Sequence, residues 1–225
     1  MLFIMTSASL ADSNVYITQS GAALDLDITI DGNANAVGAS NDRTLLTGAN
    51  LDVDIDLIGA TNTITGDFIG TGESGSDDLK INQTGSTNTT ALNVGSSAST
   101  DDVSIIENRV GSSGVTSYII GSTATVQDVS VTVDVVGDDI DIALTENSSS
   151  SGSDKTTDID IGTDSDDVDI IVTHTGAGAH KTKLLCTGAC GTSDFTFSQT
   201  GANSTDVDLV VTNAAGSDVD ITITD

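Results

Sequence analysis

Proline and tryptophan are absent from this chain of 225 residues, and other aromatic residues are scarce. The sequence holds only two Tyr and four Phe. Because each aromatic side chain buries about 150–250 Å² in a conventional core, this chain has to build its interior from smaller side chains. It is rich in Val and Ile, β-branched residues that pack well on a pleated sheet. These features favour an all-β fold with a narrow interior.

Cationic residues are also few: six Lys and Arg stand against 34 Asp and Glu, which gives a net charge of −28. Such a charge excludes nucleic acid as a partner, because binding to it depends on cations that neutralise phosphates. Self-repulsion of this size is best tolerated in saline water, where salt screens the charges. We therefore expect a protein of the extracellular space, the cell surface or the virion exterior.

Long apolar runs are missing as well, and nothing approaches the roughly 18 apolar residues of a membrane span. Residues 1–11 are the most apolar stretch, and Ser9-Leu10-Ala11 matches the cleavage site of a secretory signal peptide. The alternative is a hydrophobic first strand or N-terminal assembly tail that stays in the mature protein. Residues 12–225 keep one character throughout, which predicts a single elongated β-repeat domain.

Short runs of alternating apolar and polar residues fill that domain. Clear examples are 24–30, 51–57, 129–135 and 219–223. Period two places the apolar side chains on one face of a strand, and this regularity argues against the disorder that acidity alone suggests. The runs recur about every 11–14 residues, so two runs make a unit of roughly 22–26 residues. We predict a repeat β-solenoid with two short strands per turn; the alternative is an antiparallel β-sandwich.

Three segments share a more specific pattern of Gln-x-Gly followed by small polar residues. They are Ile17–Gly21, Ile81–Asn88 and Phe197–Asn203. This pattern resembles the repeats of curlins, the subunits of bacterial curli fibres. The resemblance implies ladders of stacked Gln and Asn side chains and turns made by Gly. The ladder residues by resemblance are Gln19, Gln83, Asn88, Gln199 and Asn203, and the turn residues are Gly21, Gly85 and Gly201. The sequence departs from curlins in its many Asp residues.

Alternating Asp residues are the strongest chemical feature. They share one face of their strands, and like charges on neighbouring strands destabilise a sheet. Ca²⁺ is the cofactor that would neutralise them, since it takes six to eight oxygen ligands. The alternative is a solvated acidic face. The candidate calcium ligands are Asp52, Asp54, Asp56, Asp158, Asp160, Asp167 and Asp169.

Cys186 and Cys190 flank three residues that can form a tight turn. In an exported chain this spacing predicts a disulfide. The alternative is a zinc site that adds His174 and His180, because two His and two Cys form a zinc ligand set. The same two His, together with Lys181 and Lys183, also form a candidate cationic patch for docking onto an acidic neighbour.

Catalytic signatures are missing from the sequence, including a nucleophile elbow, a phosphate loop and a zinc-protease motif. We predict a non-enzymatic structural subunit that self-assembles, as a homo-oligomer or filament, into an extracellular fibre or a surface or virion appendage. The alternative is a calcium-dependent adhesin that binds a host or cell surface.

Overall fold

The protein is a two-sided β-solenoid, as the sequence predicts. The structure is a computed structural model that describes residues 2–7, 13–38, 44–48, 50–70, 77–95, 102–121, 128–147, 154–162, 165, 167–187, 190–201, 204–212 and 216–224. No helix occurs among these residues. Strand pairing within both sheets is parallel, so the antiparallel sandwich alternative is wrong.

In the part of the chain that the structure describes, two sheets form the walls of the solenoid, and the chain alternates between them; the strand counts below refer to this part. Sheet A has nine strands: β1 (Leu2–Ser7), β4 (Asp25–Asp31), β7 (Asp52–Ile58), β9 (Asp77–Thr84), β11 (Val103–Val110), β13 (Val129–Val136), β15 (Lys155–Ile161), β17 (Ala179–Cys186) and β19 (Ser204–Val211). Sheet B has eleven strands: β2 (Ser13–Val15), β3 (Thr18–Ser20), β5 (Ala34–Val37), β6 (Thr44–Gly48), β8 (Thr61–Gly70), β10 (Thr87–Val94), β12 (Ser113–Ile120), β14 (Ile140–Asn147), β16 (Val168–Thr175), β18 (Asp194–Thr200) and β20 (Asp218–Thr224).

The core lies between the sheets and follows the alternation in the sequence. In β13, Val129, Val131, Val133 and Val135 are buried, while the residues between them face outward. The same pattern in neighbouring strands stacks Val, Ile and Leu into continuous rows. Burial of these rows is the main stabilising contribution, at about 25 cal/mol per Å² of apolar surface.

Register partners on neighbouring turns are 22 to 28 positions apart in the sequence, and most pairs are 25 to 27 apart. This spacing is slightly longer than the unit of about 24 residues that the alternating runs predict. The extra residues lie in the bends, where Asp102, Asp128 and Asp139 adopt positive φ angles just before a strand begins. Asp and Asn tolerate this left-handed conformation better than other residues that carry a Cβ.

The first turns differ from the later ones because their sheet-B strands are split. Strand β8 pairs with β5 along its first half and with β6 along its second half. In the same way β2 pairs with β5, and β3 pairs with β6. Val15 ends β2 and Thr18 begins β3, so this part of the first turn forms two short strands.

Leu2–Ser7 forms β1, which pairs with β4 in register from Leu2–Leu26 to Ser7–Asp31. The strand therefore lies at one end of sheet A, and β19 lies at the other end. Removal of residues 1–11 as a signal peptide stays a prediction.

Candidate functional site

Asn35, Asn62 and Asn88 form a ladder inside the solenoid, at the start of three stacked sheet-B strands. Nδ2 of Asn35 donates to Oδ1 of Asn62, and Nδ2 of Asn62 donates to Oδ1 of Asn88, each at 2.9 Å. All three side chains are buried. Each turn is thereby hydrogen-bonded to the next through a side chain as well as through the backbone. Of the ladder residues suggested by the curlin resemblance, Asn88 lies in this arrangement.

A column of glycines lies beside the Asn ladder, in the bends that join sheet A to sheet B. A Cβ built on Gly85 would clash with the carbonyl oxygen of Gly59, and one built on Gly59 would clash with that of Gly32. The ladder also supports this bend, because Nδ2 of Asn62 donates to the carbonyl of Thr84 at 3.0 Å, just before Gly85. The repeated motif is thus Gly-x-x-Asn, and sequence reasoning missed it. Its 26- to 27-residue spacing was the available signal.

The three Gln residues of the curlin-like pattern do not stack on one another. Gln83 is on β9 of sheet A, between Leu57 and Arg109. Gln19 is on β3 of sheet B, beside Leu46. Gln199 is on β18, with His174 as its neighbour. The three segments therefore occupy different places in the turn, and the structure contains no ladder of these Gln side chains.

The glycines of the same pattern are also at different bends. Gly85 belongs to the bends from sheet A to sheet B, whereas Gly21 and Gly201 follow sheet-B strands and begin the return to sheet A. Asn203 lies outside the described residues. Gly201 has a φ of 76°, a left-handed conformation in which glycine avoids the strain of a side chain.

The outward face of sheet A carries the first group of Asp residues. Asp52 is the register partner of Asp25 on one side and of Asp78 on the other. Burial raises the pKa of Asp52, and the neighbouring carboxylates, first that of Asp54, raise it further. Asp56 instead accepts a hydrogen bond from Asn82 on the next turn. The carboxylates around Asp52 therefore repel one another, whereas the carboxylate of Asp56 is stabilised by a hydrogen bond.

The other Asp candidates are dispersed. Asp158 binds Lys183, whose Nζ lies 2.9 and 3.0 Å from its two carboxylate oxygens. Asp160 is the neighbour of Asp134 on sheet A. Asp169 faces outward on sheet B, and Asp167 is a bend residue with a φ of 55°.

The structure therefore does not unite the seven candidate calcium ligands in one site. Within the described part of the chain, no group of three or more His, Cys, Asp or Glu side chains is arranged to hold a metal ion. The acidic rows follow from the alternation of the strands, and calcium binding by them stays a prediction.

Cys186 and Cys190 are joined by a disulfide, with Cα atoms 6.4 Å apart. The bond closes the bend that follows β17. Because both sulfurs are used, the two-His, two-Cys zinc set is not formed. His174 and His180 point into the core and are buried, whereas Lys183 faces outward. The four residues of the candidate cationic patch are thus divided between the interior and the surface, and the patch is not formed.

Sequence reasoning also missed a buried polar network centred on Glu107. Its Oε1 accepts a hydrogen bond from Thr90 at 2.9 Å, and its Oε2 accepts one from Thr116 at 2.9 Å and one from Tyr118 at 2.8 Å. Burial raises the pKa of Tyr118, with a further contribution from Glu107. The network ties β10, β11 and β12 together across the core.

Arg109 extends this network and explains why the Asn ladder stops. Its Nη1 donates to Thr116 at 2.7 Å, and its guanidinium fills the space beside Gly114. A Cβ on Gly114 would come within 2.6 Å of the guanidinium carbon. Gly114 is the register partner of Asn88, so Gly replaces Asn where the Arg side chain occupies the interior.

A second buried network lies three strands further along, at the opposite bend. Oε2 of Glu146 is 3.1 Å from Nε2 of His174, and Thr157 donates to Oε1 of Glu146 at 3.0 Å. The rings of His174 and His180 meet edge to face, with centroids 5.4 Å apart. Lys155, the register partner of His180, is also buried, and its Nζ has no hydrogen-bond partner within the described residues.

Burial controls the protonation of this second network. It raises the pKa of Glu146 to about 8 and lowers the pKa of His174 to about 3, with a smaller contribution from His180. At neutral pH the pair is therefore an uncharged carboxyl and an uncharged imidazole. In these uncharged forms, Oε2 of Glu146 and Nε2 of His174 lie close together without the cost of burying an ion pair.

Among the described residues, strands β19 and β20 form one end of the two sheets, and no further described strand covers the interior there. Val219 and Ile221 continue the inward rows of Phe195 and Phe197. The two Phe side chains are each 1 % exposed, whereas Val219 is 41 % exposed and Ile221 is 48 % exposed. The inward side of the last described strand is therefore an apolar surface.

Comparison with protein-family models, with curated proteins and with solved structures finds no match for this chain. The described residues include no helix that is long and apolar enough to cross a membrane.

Proposed function

We propose that this chain is a non-enzymatic structural subunit that self-assembles into an extracellular fibre or into an appendage of a cell surface or virion. The observation that carries the proposal is the form of the two sheets. Each is a continuous parallel sheet whose strands run across the rod, and each ends in an edge strand. Such edges pair readily with further strands.

The sides of the rod disfavour other modes of association. Outward Asp residues lie on sheet A near both ends, including Asp25 and Asp27 on β4, next to the end strand β1, and Asp206 and Asp208 on β19. With a net charge of −28, two rods placed side by side repel each other. The exposed apolar surface at Val219 and Ile221 makes an end the favourable place for contact.

The buried networks support a structural role in place of a catalytic one. Glu146 and His174 are an acid and a base within hydrogen-bond distance, but both side chains are completely buried. A substrate does not reach them without opening the solenoid. The disulfide of Cys186 and Cys190 fits an exported protein, since disulfides persist in oxidising surroundings.

A calcium-dependent adhesin is the second candidate function. The row of Asp25, Asp52 and Asp78 favours it, because three carboxylates in register repel one another and are relieved by a cation. In this function the protein acts as a monomer or small oligomer whose acidic face binds a surface through Ca²⁺.

Electron microscopy of the purified chain, with Ca²⁺ and with EDTA, separates the two functions. A structural subunit forms long filaments in both conditions. Discrete particles that loosen when EDTA is added would support the adhesin and contradict the structural subunit. Filaments that form only with Ca²⁺ would keep the structural function and add calcium to it.

A further inference from the structure

The two ends of the rod are complementary in their strand polarity. Sheet A begins at β1 and ends at β19, and sheet B begins at β2 and ends at β20. The pairings at both ends, β1 with β4 and β18 with β20, are parallel. A second copy stacked on the end of the first can therefore continue both sheets with every strand in the same direction. A contact between unlike ends does not close on itself, so it produces an open filament.

The apolar interior is also continued by such a contact. At the β19–β20 end, Val219 and Ile221 are about half exposed, and Leu209 on β19 is only partly buried. A further turn would cover these inward side chains as the existing turns cover Phe195 and Phe197. A second copy supplies that turn at its own β1–β2 end.

The charges on sheet A determine which strand can make the contact. Register partners can be followed from strand to strand along sheet A, from β4 to β19. The row that starts at Asp25 ends at Asp206, and the row that starts at Asp27 ends at Asp208. If β4 of one copy paired directly with β19 of another, Asp27 would meet Asp208. Like charges directly opposite one another destabilise a sheet.

Strand β1 removes this repulsion. Its sequence, Leu2–Ser7, contains no charged residue, and Phe3 is the register partner of Asp27. When two copies stack, β1 of the second copy lies between its own strand β4 and strand β19 of the first copy. Phe3 of the second copy is then beside Asp208 of the first copy. The uncharged strand is therefore suited to join two acidic subunits.

We propose that the β19–β20 end of one copy binds the β1–β2 end of a second copy of this chain, and that β1 is the uncharged strand that joins them. This inference rests on the self-assembly proposed above and specifies its contact. It takes the alternative in which residues 1–11 stay in the mature protein as an assembly tail. It predicts that the pair formed across the contact is Asp208 of one copy and Phe3 of the next.

A pair of single substitutions in β20 of the full chain tests the apolar part of the contact. Ile221→Lys places a charge on the inward side of the end strand, and Thr222→Lys places the same charge on the outward side. We expect Ile221→Lys to raise the protein concentration needed for filaments by about tenfold or more, because the contact would bury an unpaired ammonium. Thr222→Lys should assemble like the unaltered chain. Circular dichroism of both monomers reports whether they remain folded.

Disulfide trapping tests the strand that makes the contact. Asp208→Cys protein is mixed either with Phe3→Cys protein or, as the matched control, with Asp27→Cys protein, and both mixtures are oxidised gently during assembly. Mass spectrometry should find the 208–3 link, because neighbouring parallel strands bring Cα atoms within the 4.4–6.8 Å that a disulfide spans. A dominant 208–27 link would overturn the role of β1.

The outcomes separate this inference from the proposed function. Filaments that form equally well with Ile221→Lys, or that give neither link, overturn the end-to-end contact and leave the structural function standing. Failure of the unaltered chain to form filaments under any condition overturns both.

Discussion

Oε2 of Glu146 lies 3.1 Å from Nε2 of His174, in a part of the core where both side chains are completely buried. The two groups are held in their uncharged forms by burial, one by a raised pKa and the other by a lowered pKa. Their titrations therefore affect the stability of the fold in opposite directions.

The first prediction concerns the alkaline side of neutrality. Glu146 has a pKa of about 8 when folded and an ordinary value of 4.5. The folded state thus holds a proton that the unfolded state has lost, and this group lowers stability as pH rises from 4.5 to 8. His174 has a pKa of about 3 when folded and an ordinary value of 6.5. Its titration therefore raises the free energy of unfolding as pH rises from 3 to 6.5. The two effects cancel between about pH 4.5 and 6.5.

Glu146→Gln should remove the alkaline loss. Glutamine can keep the hydrogen bonds to Thr157 and His174 but does not titrate. We expect the unaltered chain to lose about 2 kcal/mol of unfolding free energy between pH 6.5 and pH 8 relative to the variant. Urea unfolding at several pH values measures this difference. Parallel pH profiles for the two proteins would contradict the assignment of an uncharged Glu146.

The second prediction concerns Lys155, whose buried Nζ has no hydrogen-bond partner within the described residues. Burial lowers the pKa of this amine, which indicates that its charge is destabilising. Lys155→Met keeps the length of the side chain and removes the amine. We expect the free energy of unfolding at pH 7 to rise by about 1–3 kcal/mol.

The matched control is Lys183→Met, because Lys183 lies on the outward face and binds Asp158. Its removal should leave stability nearly unchanged. A loss of stability in Lys155→Met would show that the amine makes a favourable interaction in the core.

The third prediction concerns the Asn ladder. Asn62→Ala removes the donor to Asn88 and to the Thr84 carbonyl, and it leaves the buried Oδ1 of Asn88 without its donor. We expect a loss of about 2–3 kcal/mol in urea unfolding. Thr63→Ala, on the outward side of the same strand, is the control and should have little effect. Equal effects of the two substitutions would mean that the ladder does not stabilise the stack.

The fourth prediction concerns the glycine column. Gly85→Ala should destabilise the fold by at least about 2–3 kcal/mol, because the new methyl group clashes with the carbonyl oxygen of Gly59. Gly66 lies within strand β8, where the nearest backbone atom to an added Cβ, Thr44 O, is 3.1 Å away. Gly66→Ala should therefore cost less. Thermal unfolding of the two variants checks the order, and a milder effect at Gly85 would contradict the close stacking of the bends.

The alternating runs predicted the solenoid correctly because strand period and repeat length are both visible in apolar residues. Strands β10, β12 and β17 are not among the clear alternating runs, because polar residues interrupt the apolar signal in them. Their inward positions include Asn88, Thr116 and His180, which are polar but buried. An interior that is partly polar hides its strands from a search for alternating apolar residues.

The burial of Glu107 and Arg109 could have been predicted from the two-residue period of the strand, because both residues continue the inward positions of Val103 and Ile105. Their partners could not be identified, since these lie on other strands. Thr90 and Tyr118, which contact Glu107, are 17 and 11 residues away in the sequence. The division of the three Gln between two sheets was also beyond the sequence, because their local patterns are alike.

X-ray diffraction from aligned filaments tests most directly the claim that the solenoid continues from one subunit to the next. If both sheets run on through the contact, all strands lie across the filament, and the strand spacing of about 4.8 Å gives a reflection on the meridian. A reflection of this spacing on the equator would mean that the strands run along the filament, and it would contradict end-to-end assembly.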